Sequence, residues 1–399
     1  MSPTVNYRPA LPASADLVII GGGVIGAATA FWAARAGLRA VLLEARPAIC
    51  TLTTAAATGG FRLQHEHRDD WELARESAAL ILDFAALTGR RDIDPDVRQR
   101  GYLWLTTERA TVVRQRAIVA EQRAWGQGDC EVFDGDEARR RFPHVGPAVV
   151  GARFRAGDGT LDQRALAVGL AAASGVPIVA NCAVTGFRVA GGRLTGVATP
   201  YGVVATEHAV LAAGPFAGPL AATVGLALPL TNVRRQKTVL PDVPEVPPDA
   251  PMTLDEDIGT HWRPALRGAY LLGADPEPIV EPPLDDVPTD NGLALRLLDP
   301  DSPLAAARVA PFWARVWARG GAKWSLRAGH YTLTPDGRPL IGSSALPGLW
   351  LNVGYGGHGV MHGPAGSKRL IAMLTASAPA SPNPFHPDRA FAPSGSRPL

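Results

Sequence analysis

The chain has 399 residues, 46% hydrophobic and 19% charged, with a formal net charge of +2. This is ordinary globular composition, at a length that favours two domains over one small core. The near-neutral balance and the lack of a basic run leave no footprint for nucleic acid. Three scattered cysteines, Cys50, Cys130 and Cys182, suggest neither a zinc site nor a disulfide framework.

The opening MSPTVNYRPALPASA lacks a basic start followed by an apolar core, so it does not read as a secretory signal. The longest apolar stretch, 24–34, is broken by Gly26 and followed by Arg35, short of the ~20 residues that span a bilayer. A cytoplasmic protein with no transmembrane segment is expected.

An apolar strand at Leu17 to Ile20 runs into Gly21, Gly23 and Gly26 in G-x-G-x-x-G spacing, with Val24 and Ile25 opening an alanine-rich helix. A second apolar strand, Ala40 to Leu43, ends at Glu44. Gly21 permits the sharp turn, Gly23 lets a pyrophosphate approach the backbone, and Gly26 lets helix and sheet pack closely. The helix N-terminus offers N–H groups and partial positive charge to phosphates, and Glu44 is placed to accept hydrogen bonds from a ribose. Together these elements specify a dinucleotide site.

A small-residue loop follows at 51–60, then helical periodicity over 70–125 interrupted by a strand at 101–107. Residues 137–142 read as a charged helical turn, and a helix capped by Asp162 follows a D-G turn. Short strands over 176–213 suggest a β-meander, and 226–280 continues β-rich around a proline-rich loop at 241–251. Residues 303–319 read as a helix, and the tryptophan-bearing segment 311–324 as amphipathic and packed on a second domain. The chain closes with the strand LWLNVGY, the glycine cluster GYGGHG, a helix from about Val360 to Leu374, and a loosely ordered tail. Nucleotide-type elements at both ends around a β-rich middle imply a cofactor domain assembled from separated segments.

The motifs GGGVIGAATAFWAARAG, TGGFR, HAVLAAG, YTLTPDGRPLIG and NVGYGGHGVMHGPAGSKRL occur in this order. From Asp16 to about Phe391 the chain resembles the D-amino-acid-oxidase-type flavoproteins, in particular the glycine oxidase, sarcosine oxidase and dimethylglycine dehydrogenase branch. The resemblance implies FAD, since simple NAD dehydrogenases lack a second glycine cluster before a C-terminal helix. It implies an α/β fold: a Rossmann-type FAD-binding domain of discontinuous segments (14–75, 150–215 and 330–376) and an interleaved α+β substrate domain with a large antiparallel sheet (76–149 and 216–329), followed by a tail at 377–399.

It also implies a cofactor set. Gly356, Gly357, His358, Gly359, Val360 and Met361 would lie under the flavin at a helix start, where N–H groups stabilise negative charge on the reduced ring. Thr53, Thr54, Gly59, Gly60 and Arg62 match the segment running from the pyrophosphate to the ring. Ala45, Arg46, Val184, Ala213 and Gly214 match positions near the adenosine and a close backbone approach. The branch's covalent attachment points are a cysteine at the position of Gly329 and a histidine in the loop that here reads Ala55-Ala56-Ala57-Thr58, so the FAD is expected to be non-covalent, with Cys50 toward the adenosine end.

The expected chemistry is oxidation of the C–N bond of a small amine or N-substituted amino acid to an imine by hydride transfer to flavin N5. Arg62, His65, Tyr331, His358 and Met361 are the catalytic candidates. Tyr331 stands where glycine and D-amino-acid oxidases carry an arginine, which favours a secondary or tertiary amine. His65 and Met361 replace the sarcosine-oxidase carboxylate clamp, and Leu271 matches the lysine that promotes oxygen reaction, which disfavours sarcosine and points to a dehydrogenase. Arg62, Arg263 and Arg338 are the remaining cations for an acidic substrate. The pairs His65/His67 and His358/His362 lack a zinc-protease glutamate, and no metal is expected. Two alternatives stay open: a flavin subunit of a multi-chain opine-type or cyanide-forming dehydrogenase with a partner electron-transfer subunit, and a non-catalytic flavin-stabilised assembly protein.

Overall fold

The computed structural model describes residues 5–320, 322–376 and 382–392. Two large sheets organise them. The first has six strands in the order Leu340–Ser343, Leu349–Val353, Ala209–Leu211, Leu17–Ile20, Ala40–Leu43 and Ile178–Val179. All run parallel except Leu340–Ser343, which pairs antiparallel with its neighbour. Leu17, Val18 and Ile19 have no solvent exposure, because both faces of this sheet are covered; that is why the strand is an uninterrupted apolar run.

Leu17, Ile19 and Leu42 face a core shared with the helices Val24–Arg35, Gln163–Ser174 and Gly359–Thr375. Val18, Ile20, Val41 and Leu43 face the other way, onto a three-stranded antiparallel sheet, Gly186–Ala190, Arg193–Thr199 and Gly202–Ala205, and the helix Ala217–Ala222. Asp162 caps its helix as expected, accepting from the N–H groups of Arg164 and Ala165.

The second sheet has eight strands: Ser325–Leu333, Thr231–Leu240, Gly268–Leu272, His261–Ala265, Met252–Asp255, Tyr102–Thr106, Gly151–Arg155 and Glu131–Asp134. Its pairings are antiparallel except Met252–Asp255 with Tyr102–Thr106. Strand alternation divides its residues. Trp262, Leu271 and Leu240 face a core closed by the helices Asn291–Leu298 and Phe312–Arg319, the tryptophan-bearing segment, where the Trp262 and Trp313 rings meet edge to face at 6.0 Å. Tyr331, Arg235, His261, Leu272, Met252, Leu254 and Tyr102 face the opposite way, toward the first sheet.

Several expectations change. Within 176–213 only 186–205 forms a meander; Ile178–Val179 and Ala209–Leu211 join the parallel sheet, because each is bonded at its register to a buried strand. The helix expected over 303–319 is a 3-10 turn at Ala306–Arg308 followed by Phe312–Arg319. A helix at Asn291–Leu298, capped by Asp290, was not foreseen. Gly151–Arg155 lies in the eight-stranded sheet, on the other side of the boundary drawn at 149/150. The helix Arg68–Leu82 runs past 75 and packs on the last helix, with Ser77 Oγ accepting from the N–H of Ala365 at 3.0 Å.

The expected loose tail is also revised for its described part. Phe385 is 1% exposed in the core, its carbonyl accepts from the N–H of Ile341 at 2.8 Å, and Arg389 pairs with Asp336 at 2.8 Å. Residues 377–381 and 393–399 lie outside the described residues. Among the described residues no helix is long and apolar enough to cross a membrane.

Phe385→Ala should cost about 3 kcal/mol of stability, the usual penalty for emptying a buried phenylalanine site. Urea denaturation checks this, and an unshifted midpoint would place the segment outside the cooperative unit.

Candidate functional site

The carboxyl ends of the parallel strands open into a cleft of about 490 Å³ that continues to the front face of the eight-stranded sheet. At one end, Gly21 turns with φ +105° and the helix from Val24 begins. A Cβ on Gly26 would sit 1.8 Å from the carbonyl oxygen of Gly21, so only glycine lets this helix start against the strand. Thr54 Oγ1 accepts from the N–H of Val24 at 3.0 Å, tying the loop to the helix start. Glu44 accepts from the N–H groups of Gly22 at 2.6 Å and Arg46 at 2.8 Å. Burial raises the Glu44 pKa and these two donors oppose the rise.

At the other end, Gly354 to Met361 bring the last strand into the last helix and line the cleft. A Cβ on Gly357 would meet the Tyr331 ring at 2.7 Å, so glycine is what lets loop and ring lie face to face.

Between these ends sits Arg62, 8% exposed and lining the cleft. Its guanidinium donates to the carbonyl of Gln64, reaches His65 Nδ1 at 3.5 Å and His358 Nε2 at 3.2 Å, and lies 5.2 Å from the Trp104 ring centroid. No carboxylate of the described residues pairs with it. Burial lowers its pKa, opposed by Tyr102 and Asp158. Both imidazoles present an acceptor nitrogen to it and are held neutral. Burial and then Arg62 push His358 down to about 3, and the same causes hold His65 far below the ordinary range.

The segment carrying Arg62 is fixed from behind. Asp158, fully buried, accepts from the N–H of Leu63 at 2.9 Å and Gln64 Nε2 at 3.0 Å, and pairs with Arg155 at 2.7 Å. Gln122 donates to the carbonyl of His65 at 2.8 Å.

The front face of the sheet supplies the opposite wall. Arg235 lines the cleft with its guanidinium 5.6 Å from the Tyr331 ring centroid, donates to the carbonyl of Arg234 at 3.2 Å, and has a buried Nε with no partner among the described residues. Arg62 and Arg235 both line this one cleft, and each acts electrostatically on Tyr331 and His261.

Comparison with known proteins agrees with this geometry. The family described as DAO, FAD dependent oxidoreductase, matches residues 16–373. The chain belongs to this family. It is 30% identical to glycine oxidase of Pseudomonas putida over 94% of this chain and 99% of that protein. It is 26% identical to mitochondrial sarcosine dehydrogenase of Homo sapiens over 89% of this chain and 39% of that longer protein. Among solved structures, glycine oxidase from Geobacillus kaustophilus superposes with a TM-score of 0.80 at 25% identity, over 96% of this chain and all of that one.

The protein is therefore an FAD-dependent enzyme of the DAO family, and its cleft fits FAD. The helix start, Glu44 at a strand end, the buried Thr53 hydroxyl, unpartnered among the described residues, and the glycine loop beside Tyr331 lie along one continuous cavity. Of the expected cofactor positions, all line the cleft except Gly26, which serves the packing of the helix. Gly329 and the loop Ala56–Thr58 also line it, and none of these is a cysteine or histidine. Cys50 sits beside Gly22, its N–H donating to the Gly22 carbonyl at 2.9 Å, and burial pushes its thiol up to about 12.

The catalytic candidates divide. Arg62, Tyr331, His358 and Met361 line the cleft, but His65 stands behind Arg62, its Nε2 donating to the Arg62 carbonyl at 3.1 Å. Arg338 is engaged by Asp69 and Asp70, and Arg263 lies outside the cleft. Leu271 faces the opposite core, because its register partners Thr238 and Trp262 share the back face. Sequence reasoning missed Arg235, Tyr102 and His261. Alternation along Thr231–Leu240 was the available signal for Arg235, since it groups Arg235 with Lys237 apart from Gln236 and Thr238.

Gly23→Val puts a branched side chain where the phosphates need backbone contact. FAD affinity should fall at least about tenfold with secondary structure retained, as read by flavin fluorescence and circular dichroism. Asp158→Ala removes the buried acceptor for three donors and leaves Arg155 only its partner Asp129, so about 3 kcal/mol of stability should be lost in urea denaturation.

Proposed function

We propose that the enzyme oxidises the C–N bond of a small N-substituted amino acid to an imine, which water then hydrolyses. The observation that carries this reading is the pair of guanidinium groups lining the cleft beside Tyr331, Arg62 buried and Arg235 half-buried, neither of which forms an ion pair among the described residues. A cation buried without a counter-ion keeps its full attraction for an incoming anion. The substrate carboxylate supplies that charge, and the Tyr331 ring and Met361 bound the apolar part of the molecule.

FAD, when bound, supplies the two-electron oxidant for the C–H bond adjacent to nitrogen. The chain's own residues orient the substrate, exclude water and keep protons in place. His358, held neutral with Nε2 accepting from Arg62, carries its proton on Nδ1 and adds no positive charge to the site. The names glycine oxidase and sarcosine dehydrogenase among the relatives support an amino-acid substrate. The Tyr331 position supports a secondary over a primary amine. The acceptor that reoxidises the enzyme, oxygen or a partner subunit, is left to the same experiment.

Anaerobic mixing with N-methyl and D-amino acids should bleach the flavin absorbance with one compound class, and admitting air then separates fast reoxidation from slow. Arg62→Met and Arg235→Met should each weaken substrate binding in that assay roughly tenfold to a hundredfold, the scale of one hydrogen bond to a charged group. Equal reduction by matched amines lacking a carboxylate would overturn the clamp.

Only the neutral amine can donate hydride, so the reduction rate should rise with pH through the substrate's amine pKa. With His358 depressed to about 3, it does not titrate in the working range. His358→Asn should therefore lower the rate and leave the midpoint of the pH profile in place; a displaced midpoint would assign that ionisation to His358.

A further inference from the structure

A second cavity, of about 740 Å³, lies on the far side of the loop Ala55–Thr58 from the cofactor cleft. The two spaces share Met252 as a wall. Residues 96–101, 159–164 and the near ends of the strands Thr231–Leu240, His261–Ala265 and Ser325–Leu333 enclose it. Six cationic side chains line it, Arg98, Arg100, Arg164, Lys237, Arg263 and Arg327, against two carboxylates, Asp96 and Asp162. Both carboxylates are engaged: Asp96 pairs with Arg98 at 2.5 Å, and Asp162 accepts the first N–H groups of its helix.

The floor is the telling part. Lys237 Nζ lies 4.4 Å and the Arg263 guanidinium 4.6 Å from the centroid of the same ring, Tyr270. Lys237, 4% exposed, donates to the carbonyls of Ala57 at 2.7 Å and Ala55 at 3.4 Å; Arg263 donates to those of Thr58 at 2.7 Å and Pro264 at 3.2 Å. Among the described residues neither forms an ion pair. Burial, then Arg263 and Arg327, push Lys237 down to about 8, and burial also lowers Arg263. Carbonyl dipoles and one ring face compensate part of two neighbouring positive charges. Of the four further guanidinium groups, Arg98 pairs with Asp96 and Arg100 with Asp249 at 2.8 Å, while Arg164 and Arg327 form no ion pair among the described residues and add to the same field. An anion is the missing partner.

We infer that this cavity is a binding site for a small multivalent oxyanion, a phosphate-bearing or polycarboxylate molecule, seated on Lys237 and Arg263 and ringed by Arg98, Arg100, Arg164 and Arg327. Guanidinium groups bind both kinds of oxyanion through paired N–H donors, so the shared chemistry is the charge and the oxygen array. The site is separate from the carboxylate clamp of Arg62 and Arg235 and does not depend on the substrate assigned above.

The test is isothermal titration of the FAD-saturated holoenzyme, at constant ionic strength, with sodium pyrophosphate and separately with citrate. At least one should bind saturably, one per chain, with a Kd below about 1 mM. Arg263→Met should weaken that binding about tenfold or more. Arg327→Glu, an exposed rim position that leaves the interior untouched, should do the same if Arg263→Met folds poorly. Arg193→Glu, exposed on the three-stranded sheet, carries the same charge change away from the cavity and should leave binding unchanged. Binding of pyrophosphate alone identifies a phosphate-type ligand, and of citrate alone a polycarboxylate. No saturable binding of either, or equal weakening by Arg193→Glu, would overturn the inference.

Discussion

A guanidinium is buried at Arg62 with no carboxylate partner among the described residues, and much of the site is arranged around the cost of that burial. Desolvating a cation is expensive, and the usual remedy is an ion pair. Here the compensation comes from weaker groups: a carbonyl, two imidazole nitrogens and the Trp104 ring. These stabilise the charge without neutralising it. The histidines are held neutral first by their burial and then by the charge of Arg62 beside them, and Asp158 braces the segment from a distance. The result is a fixed positive potential at the edge of a cleft that binds FAD.

The eight-stranded sheet extends the same logic. Its back face is an aromatic and aliphatic core, and its front face collects Arg235, Lys237, Arg263, His261, Tyr270 and Tyr331. The loop Ala55–Thr58 divides that polar face into two compartments. Arg235 belongs to the cofactor cleft, while Lys237 and Arg263 reach across to hold the loop carbonyls from the other side. Charge on one side of a four-residue partition is thus mechanically tied to the wall of the other.

The nucleotide half was readable because its physics is local. A turn, a helix start and an acid at a strand end are set by residues within 30 positions of one another, and Gly21, Gly26 and Glu44 stand where their spacing puts them. The substrate half was read less well because its partners are remote. Arg62 meets His358 across 296 positions, and Arg235 meets Tyr331 only through the pairing of two distant strands. His65 shows the difference: its residue type suggested the site, but its hydrogen bonds to Arg62 place it behind the residue that faces the cleft.

What the sequence determined by itself, then, is a glycine-marked nucleotide fold at both ends of the chain and the family that these marks imply. Only the tertiary structure decided that Phe385 closes a core, that Gly151–Arg155 belongs to the second sheet, that Leu271 faces away from the cleft and that Arg235 faces into it. The reason is the two-residue period of a strand: a residue's face follows from which neighbour it pairs with, and a shift of one position reverses it.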